Sequence, residues 1–252
     1  MHPELFRLHL GAYERPFYSY GACIVLGVAL GIVVAVARAR RYGVGRFDEL
    51  AVGLLGLSGG IAGSVALYVI VHAREFLADP SLFRSPGLVF YGGVVGGAIA
   101  IALYCRKFGV PMAAAADAGA PGLALGHAVG RVGCLLGGCC YGRPCAADFP
   151  FAVRLHDAWR HPVQLYEAAG LLVIACALAA LSRVLRPRPG ALIALYLGGY
   201  AILRILTEWL RGDDLERGFV WPGVLSTSQA IALGMLLVAI ALYVSRRPQG
   251  AR

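Results

Sequence analysis

Residues 17–37 read FYSYGACIVLGVALGIVVAVA, with no charged residue among them. About 20 apolar residues in a helix cross the hydrocarbon core of a bilayer, so this stretch sets the solvent for the whole chain. It is too long, and too poorly supplied with preceding positive charge, for a cleaved signal peptide. Working outward, six more apolar stretches follow at roughly 50–71, 88–105, 113–132, 163–182, 190–210 and 223–245. The bulk numbers agree. Of 252 residues, 59% are hydrophobic and 15% charged, against about 25% charged in a soluble domain. We therefore expect an all-α integral membrane protein of about seven transmembrane helices. No linker or composition shift divides the chain, so residues 1–252 read as one transmembrane domain.

The net charge of +9 would suggest nucleic acid in a soluble protein, but here it orients the helices. Lys and Arg collect in cytoplasmic connections and hug the helix ends. Arg38, Arg40, Arg41 and Arg46 follow the first span, and Arg106 and Lys107 the third. Arg183, Arg186 and Arg188 follow the fifth, and Arg246, Arg247 and Arg252 end the chain. Arg7, Arg15, Arg74, Arg84, Arg143, Arg154, Arg160, Arg211 and Arg217 fall on the other side. This pattern predicts an N-terminus outside, a C-terminus in the cytoplasm, and a loop or head region at about 133–162 on the outer face. The 34 glycines suit close helix contacts, notably Gly59-Gly60 and the run from Gly92 to Gly97.

The polar residues inside apolar spans carry the chemistry. Arg131, Arg204, Asp117, His127, Glu167 and Glu208 fall at membrane depth, where each ionisable group costs on the order of 3 kcal/mol unless it meets a cavity or a partner. Arg131 either snorkels outward from the end of its span or meets a ligand. In GGYAILRILTEWLRGD, helical spacing aligns Tyr200, Arg204, Glu208 and Arg211 on one stripe, so Arg204 either pairs with Glu208 or serves a ligand. Two arginines on different spans near the outer leaflet point to an anionic lipid head group, because guanidinium forks match phosphate oxygens bidentately.

At this point the motifs resemble those of the bacterial prolipoprotein diacylglyceryl transferase family. YSYG at 18–21 is similar to the family's tyrosine–glycine in the first span, and YGGVVGG at 91–97 to its HGG-x-x-GG element. GRVGCLLGGCCYGR at 130–143 resembles the signature GR-x-G-N-F-x-N-G-E-x-x-G. RHPVQLYE at 160–167 is close to RHPSQLYE, YAILRILTEWLR at 200–211 fits Y-x-x-x-R-x-x-x-E-x-x-R, and SQ at 228–229 fits a glutamine opening the last helix.

The resemblance implies transfer of the diacylglyceryl group of phosphatidylglycerol to the thiol of a lipobox cysteine in prolipoprotein signal peptides, releasing glycerol phosphate. It implies no metal, no soluble cofactor and no nucleic acid. It also implies a multi-pass protein of the bacterial cytoplasmic (inner) membrane with its active site toward the outer face. Carried over by position, Arg131 and Arg204 grip the phosphate, with Tyr91 and His127 as catalytic candidates. Tyr20, Gly92, Gly93, Gln164, Glu167, Tyr200 and Glu208 are the expected substrate-binding set. Preorganised arginine in a dry site stabilises the charge of a phosphate leaving group, and the acceptor must become a thiolate.

Departures from the family pattern keep alternatives open. Tyr91 stands where a histidine is common, Ile61 where an arginine is, and Cys134, Gly137 and Cys139 replace two asparagines and a glutamate of the signature. A tyrosine, with a reference pKa of about 10, is a poor base near neutral pH. His127, one turn before Arg131, is either its replacement or a satisfied bundle histidine. Cys134, Cys139, Cys140 and Cys145 read as candidate disulfide partners on the oxidising side. A zinc site with His156 or His161 stays open although CLLGGCCYGRPC lacks a C-x-x-C pair, as do a catalytic thiol and plain packing. Cys23, Cys105 and Cys176 read as small packing residues. A related phospholipid-dependent transferase with a different acceptor, and a non-enzymatic lipid-binding or transport protein, are the competing readings.

Overall fold

Long apolar runs fold as helices because a chain without water must satisfy its backbone internally. The computed structural model describes residues 4–10, 13–78, 87–184, 188–213, 218–221 and 224–245. Arg84, Arg186, Arg217, Arg246, Arg247 and Arg252 of the charge argument lie outside the described residues. Eight α-helices occur among those described: α1 Ser19–Ala39, α2 Arg46–Val71, the short α3 Ala73–Ala78, α4 Phe90–Phe108, α5 Met112–Gly137, α6 Val163–Val184, α7 Ala191–Glu208 and α8 Thr227–Ser245. Helices α1, α2, α6, α7 and α8 are long and apolar enough to cross a membrane. Helices α4 and α5 have the length, 19 and 26 residues, but Arg106, Lys107, Asp117, His127 and Arg131 dilute their apolarity. The protein is a mostly helical, multi-pass membrane protein.

Among the described residues, three small antiparallel strand pairs, which the span-by-span reading did not anticipate, accompany the helices. They pair β1 Glu4–Leu10 with β2 Tyr13–Tyr18, β3 Val153–Leu155 with β4 Ala158–Arg160, and β5 Phe219–Trp221 with β6 Leu225–Ser226. The tight turn between β3 and β4 places both His156 (φ 49°) and Asp157 (φ 60°) in the left-handed region, as a two-residue I′-type hairpin requires.

The contacts divide the chain into two compact units, residues 1–35 with 116–252, and residues 36–115. In the second unit α2 packs on α4 through glycines. A Cβ on Gly59 would stand 2.8 Å from Gly96 O, and one on Gly97 2.9 Å from Gly56 O, so no larger residue keeps the two backbones at this distance. Gly92 and Gly93, expected around substrate, lie on this seam against Gly63 and Ser64. Tyr104 donates to Asp48 Oδ1 at 2.9 Å, and Ala39, Val44, Ala114 and Ala115 form a small apolar core.

In the first unit α1 meets α5 by the same device: a Cβ on Gly27 would stand 2.6 Å from Gly126 O, and one on Gly31 3.1 Å from Gly122 O. Asp117, fully buried, accepts from Gly190 N at 2.7 Å and Ile193 N at 3.0 Å. It thereby caps the first turn of α7 from another helix. Ser226 and Gln229 form a reciprocal capping box at the start of α8, each side chain accepting from the other's backbone N–H at 3.1 Å. Helix α5 runs five residues beyond the expected end at 132, so Arg131 lies inside the helix rather than at its tip, and Cys134 sits in its last turn.

Candidate active site

Three helices of the first unit converge their charged residues in one place. Glu167 on α6 is 1% exposed and lies between two guanidiniums. Arg131 Nε of α5 sits 2.7 Å from Glu167 Oε2, a charge contact without a hydrogen bond's linearity. Arg204 Nη1 of α7 donates to Glu167 Oε1 at 3.1 Å, and Arg204 Nη2 lies 2.8 Å from Glu208 Oε2. Thr207 Oγ1 donates to Glu167 Oε1 at 3.1 Å. The four charges balance, which makes them tolerable where an unpaired one would not be.

The Arg204–Glu208 pair follows the helical spacing of the sequence. The stripe stops there, because α7 ends at Glu208. Arg211 lies beyond it, bridged to Gly142 and bonded to Asp213 through Nε and Nη2.

Tyr200 accepts from Arg131 Nη2 at 3.1 Å, so it serves Arg131 rather than Arg204. Nη1 of Arg131 takes no part in these bonds among the described residues. His127, one turn below Arg131, shares a 3.2 Å hydrogen bond between Nδ1 and the Tyr196 hydroxyl and meets the Tyr200 ring edge-on at 4.5 Å. Neither Tyr196 nor Thr207 was singled out by the sequence. Tyr196 repeats the Tyr200 spacing one turn earlier, and that repeat was the available signal.

Tyr20, at the start of α1, packs on the last two turns of α5 at Gly133 and Gly137. Gln164 on α6 is buried; its Nε2 donates to Cys139 O at 2.7 Å, tying the loop after α5 to the arginine site. Tyr91, at the start of α4, belongs to the second unit, is 45% exposed, and packs edge-on against Phe90.

The loop at 138–162 is fastened to the end of α7. Arg143 N donates to Leu210 O at 2.8 Å and Gly212 N to Tyr141 O at 3.0 Å. Arg160 stacks over the Tyr141 ring at 4.6 Å and donates to Gly142 O at 3.3 Å. All seven cysteines are free thiols. The Cys140 thiol is held below its ordinary pKa by hydrogen bonds from Cys134 and Cys139 and by the charges of Arg211 and Arg131.

This geometry offers a fixed pair of guanidiniums in an apolar helical setting and a part-buried hydroxyl–imidazole pair beside it. Residues 8–245 match the family model described as prolipoprotein diacylglyceryl transferase. A phosphatidylglycerol–prolipoprotein diacylglyceryl transferase of Clostridium tetani is 33% identical, covering 96% of this chain and 97% of its own length. A second such protein, of Clostridium perfringens, is 33% identical over 98% of each chain. One from Legionella pneumophila is 37% identical over 74% of this chain and 75% of its own. On the family match and these relatives together, the chain belongs to the prolipoprotein diacylglyceryl transferase family.

Proposed function

We propose that the protein transfers the diacylglyceryl group of phosphatidylglycerol to the thiol of a prolipoprotein's lipobox cysteine. The observation that carries this reading is the pair Arg131 and Arg204, drawn from two helices and oriented by one buried carboxylate, Glu167. Glu167, Glu208 and Tyr200 hold the two forks, and the unused N–H groups of Arg131 grip the phosphate. The acceptor thiolate attacks the glyceryl carbon that bears the phosphate. A carbon–sulfur bond forms, the carbon–oxygen bond breaks, and the electron pair leaves with glycerol phosphate. The arginines meet the charge that develops on that oxygen. Tyr20 and Gln164 line the polar pocket.

The thiol's proton goes to His127, which lies one turn from Arg131 and against the Tyr200 ring that Arg131 bonds, rather than to Tyr91, a phenol of high reference pKa. His127→Gln then slows the reaction by about 100- to 10,000-fold, while Tyr91→Phe leaves it within a few-fold. The reverse ranking reassigns the base. Seven spans in the bacterial inner membrane, with this site toward the outer face, complete the reading.

The test incubates the purified protein with phosphatidylglycerol and a lipobox peptide. Mass spectrometry should find a diacylglyceryl-modified cysteine, with glycerol phosphate released one for one. Consumption of the lipid with an unmodified peptide would favour a different acceptor, for which the substitutions at Tyr91, Cys134 and Cys139 speak. Lipid redistribution without glycerol phosphate would make the protein a lipid carrier.

A further inference from the structure

The end of α5 and the loop after it hold three thiols that the arginine site does not use. The sulfurs of Cys134, Cys139 and Cys140 all lie within 4.8 Å of one another. Residues five apart do not meet along a helix in this way; the chain has to fold back. Gly138 (φ 75°) and Cys140 (φ 59°) do this in the left-handed region, which a non-glycine residue occupies only when its surroundings hold it. Those surroundings are visible. Cys139 N donates to Cys134 O at 3.1 Å, Gln164 fixes Cys139 O at 2.7 Å, and His156 lies 2.8 Å from Gly138 O through Nε2.

We propose that Cys134, Cys139 and Cys140 form a three-thiolate site for a soft d10 cation, with monovalent copper as its preferred occupant. Three sulfurs about 2.3 Å from a central ion in one plane stand about 4.0 Å apart, within the observed limit. Thiolates select copper(I) and zinc over harder ions. Zinc in a structural site takes four protein ligands, and among the described residues no fourth Cys, His, Asp or Glu joins this group. Cys145 stands outside it, and the His156 Nε2 is engaged by the backbone. Copper(I) takes the three sulfurs as thiolates, and the complex carries two net negative charges. The neighbouring Arg131 and Arg211, whose charges reach Cys140, offset them. The sequence hid the site because its spacing, C-x4-C-C, has no C-x-x-C pair. The assignment is independent of the transferase reading.

The experiment uses the full-length protein in detergent, reduced until all seven thiols titrate, under anaerobic conditions. Copper(I) is presented against bathocuproine disulfonate, and zinc(II) against a chelating dye in parallel. One copper per chain should be retained against the competitor, with zinc held more weakly. Cys134→Ser, Cys139→Ser and Cys140→Ser should each weaken retention by roughly 100-fold or more, beyond the 10- to 100-fold typical of losing an outer-shell partner. Cys145→Ser and Cys176→Ser should leave it unchanged. Where a variant does not fold, peptide mapping of the wild-type protein decides: copper should shield those three thiols, and no others, from N-ethylmaleimide. Failure of the reduced protein to retain copper overturns the site. So does equal alkylation of all seven cysteines in its presence. Tighter zinc binding that depends on Cys145 overturns the three-coordinate assignment.

Discussion

Glu167 is the residue on which the candidate site turns, since one carboxylate serves Arg131, Arg204 and Thr207. Glu167→Gln keeps the shape but leaves Arg131 without its carboxylate and Arg204 with Glu208 alone. Removing one partner of a buried ion pair costs about 3–5 kcal/mol, so this variant should show a clearly lowered melting temperature in detergent. A wild-type melting curve would mean that water or lipid already screens the cluster. Arg204→Lys tests the forked contact. Lysine offers a point charge where two N–H groups reach Glu167 and Glu208, and the rate should fall by about 30- to 1000-fold, equivalent to about 2–4 kcal/mol. Near-normal turnover in a folded protein would make Arg204 a structural charge. The arginines were legible in the sequence because charge is costly at membrane depth. The sharing of Glu167 was not, since a bridge between α5, α6 and α7 depends on how the helices pack, and spacing along one helix cannot report that.

At the scale of the elements, the apolar runs marked the helices to within a few residues at most ends, while the polar punctuation did not reveal its purpose. Asp117 looked like one more functional charge in a membrane span. It is instead the N-terminal cap of α7, reached across 73 residues of chain. Asp117→Ala should therefore lower stability by about 1–2 kcal/mol with little change in the rate of the folded fraction. A loss of turnover without loss of stability would move Asp117 into the chemistry. Gly27 belongs to the same class of structural residue. Gly27→Val would drive a side chain into Gly126 O and should separate α1 from α5, read as a lower melting temperature. The end of α5 was the element least legible from composition. Its final residues, Val132–Gly137, are apolar or small with two glycines among them, and the sharp reversal after them depends on backbone angles at Gly138 and Cys140 that no hydropathy pattern encodes.

For the molecule as a whole, the apolar spans fix the solvent, and the basic helix ends are the basis of the proposed direction. Arg38, Arg40 and Arg41 crowd the end of α1, with Arg38 bonded to the Tyr42 hydroxyl at 3.1 Å. Arg106 and Lys107 close α4. Both groups sit within a turn of an apolar helix, where positive charge weighs most on orientation. The opposing arginines are spent differently: Arg143, Arg160 and Arg211 are bound to carbonyls, a ring and a carboxylate in the loop region, so they are part of the fold rather than a free surface charge. That difference strengthens a bias that is modest by number alone. Reporter fusions placed after Arg41 and after Arg247 should both read cytoplasmic, and one placed in the 143–160 loop should read external. A cytoplasmic reading for the loop would put the arginine site on the wrong leaflet for an acceptor that has crossed the membrane, and the transferase reading would then need a different acceptor.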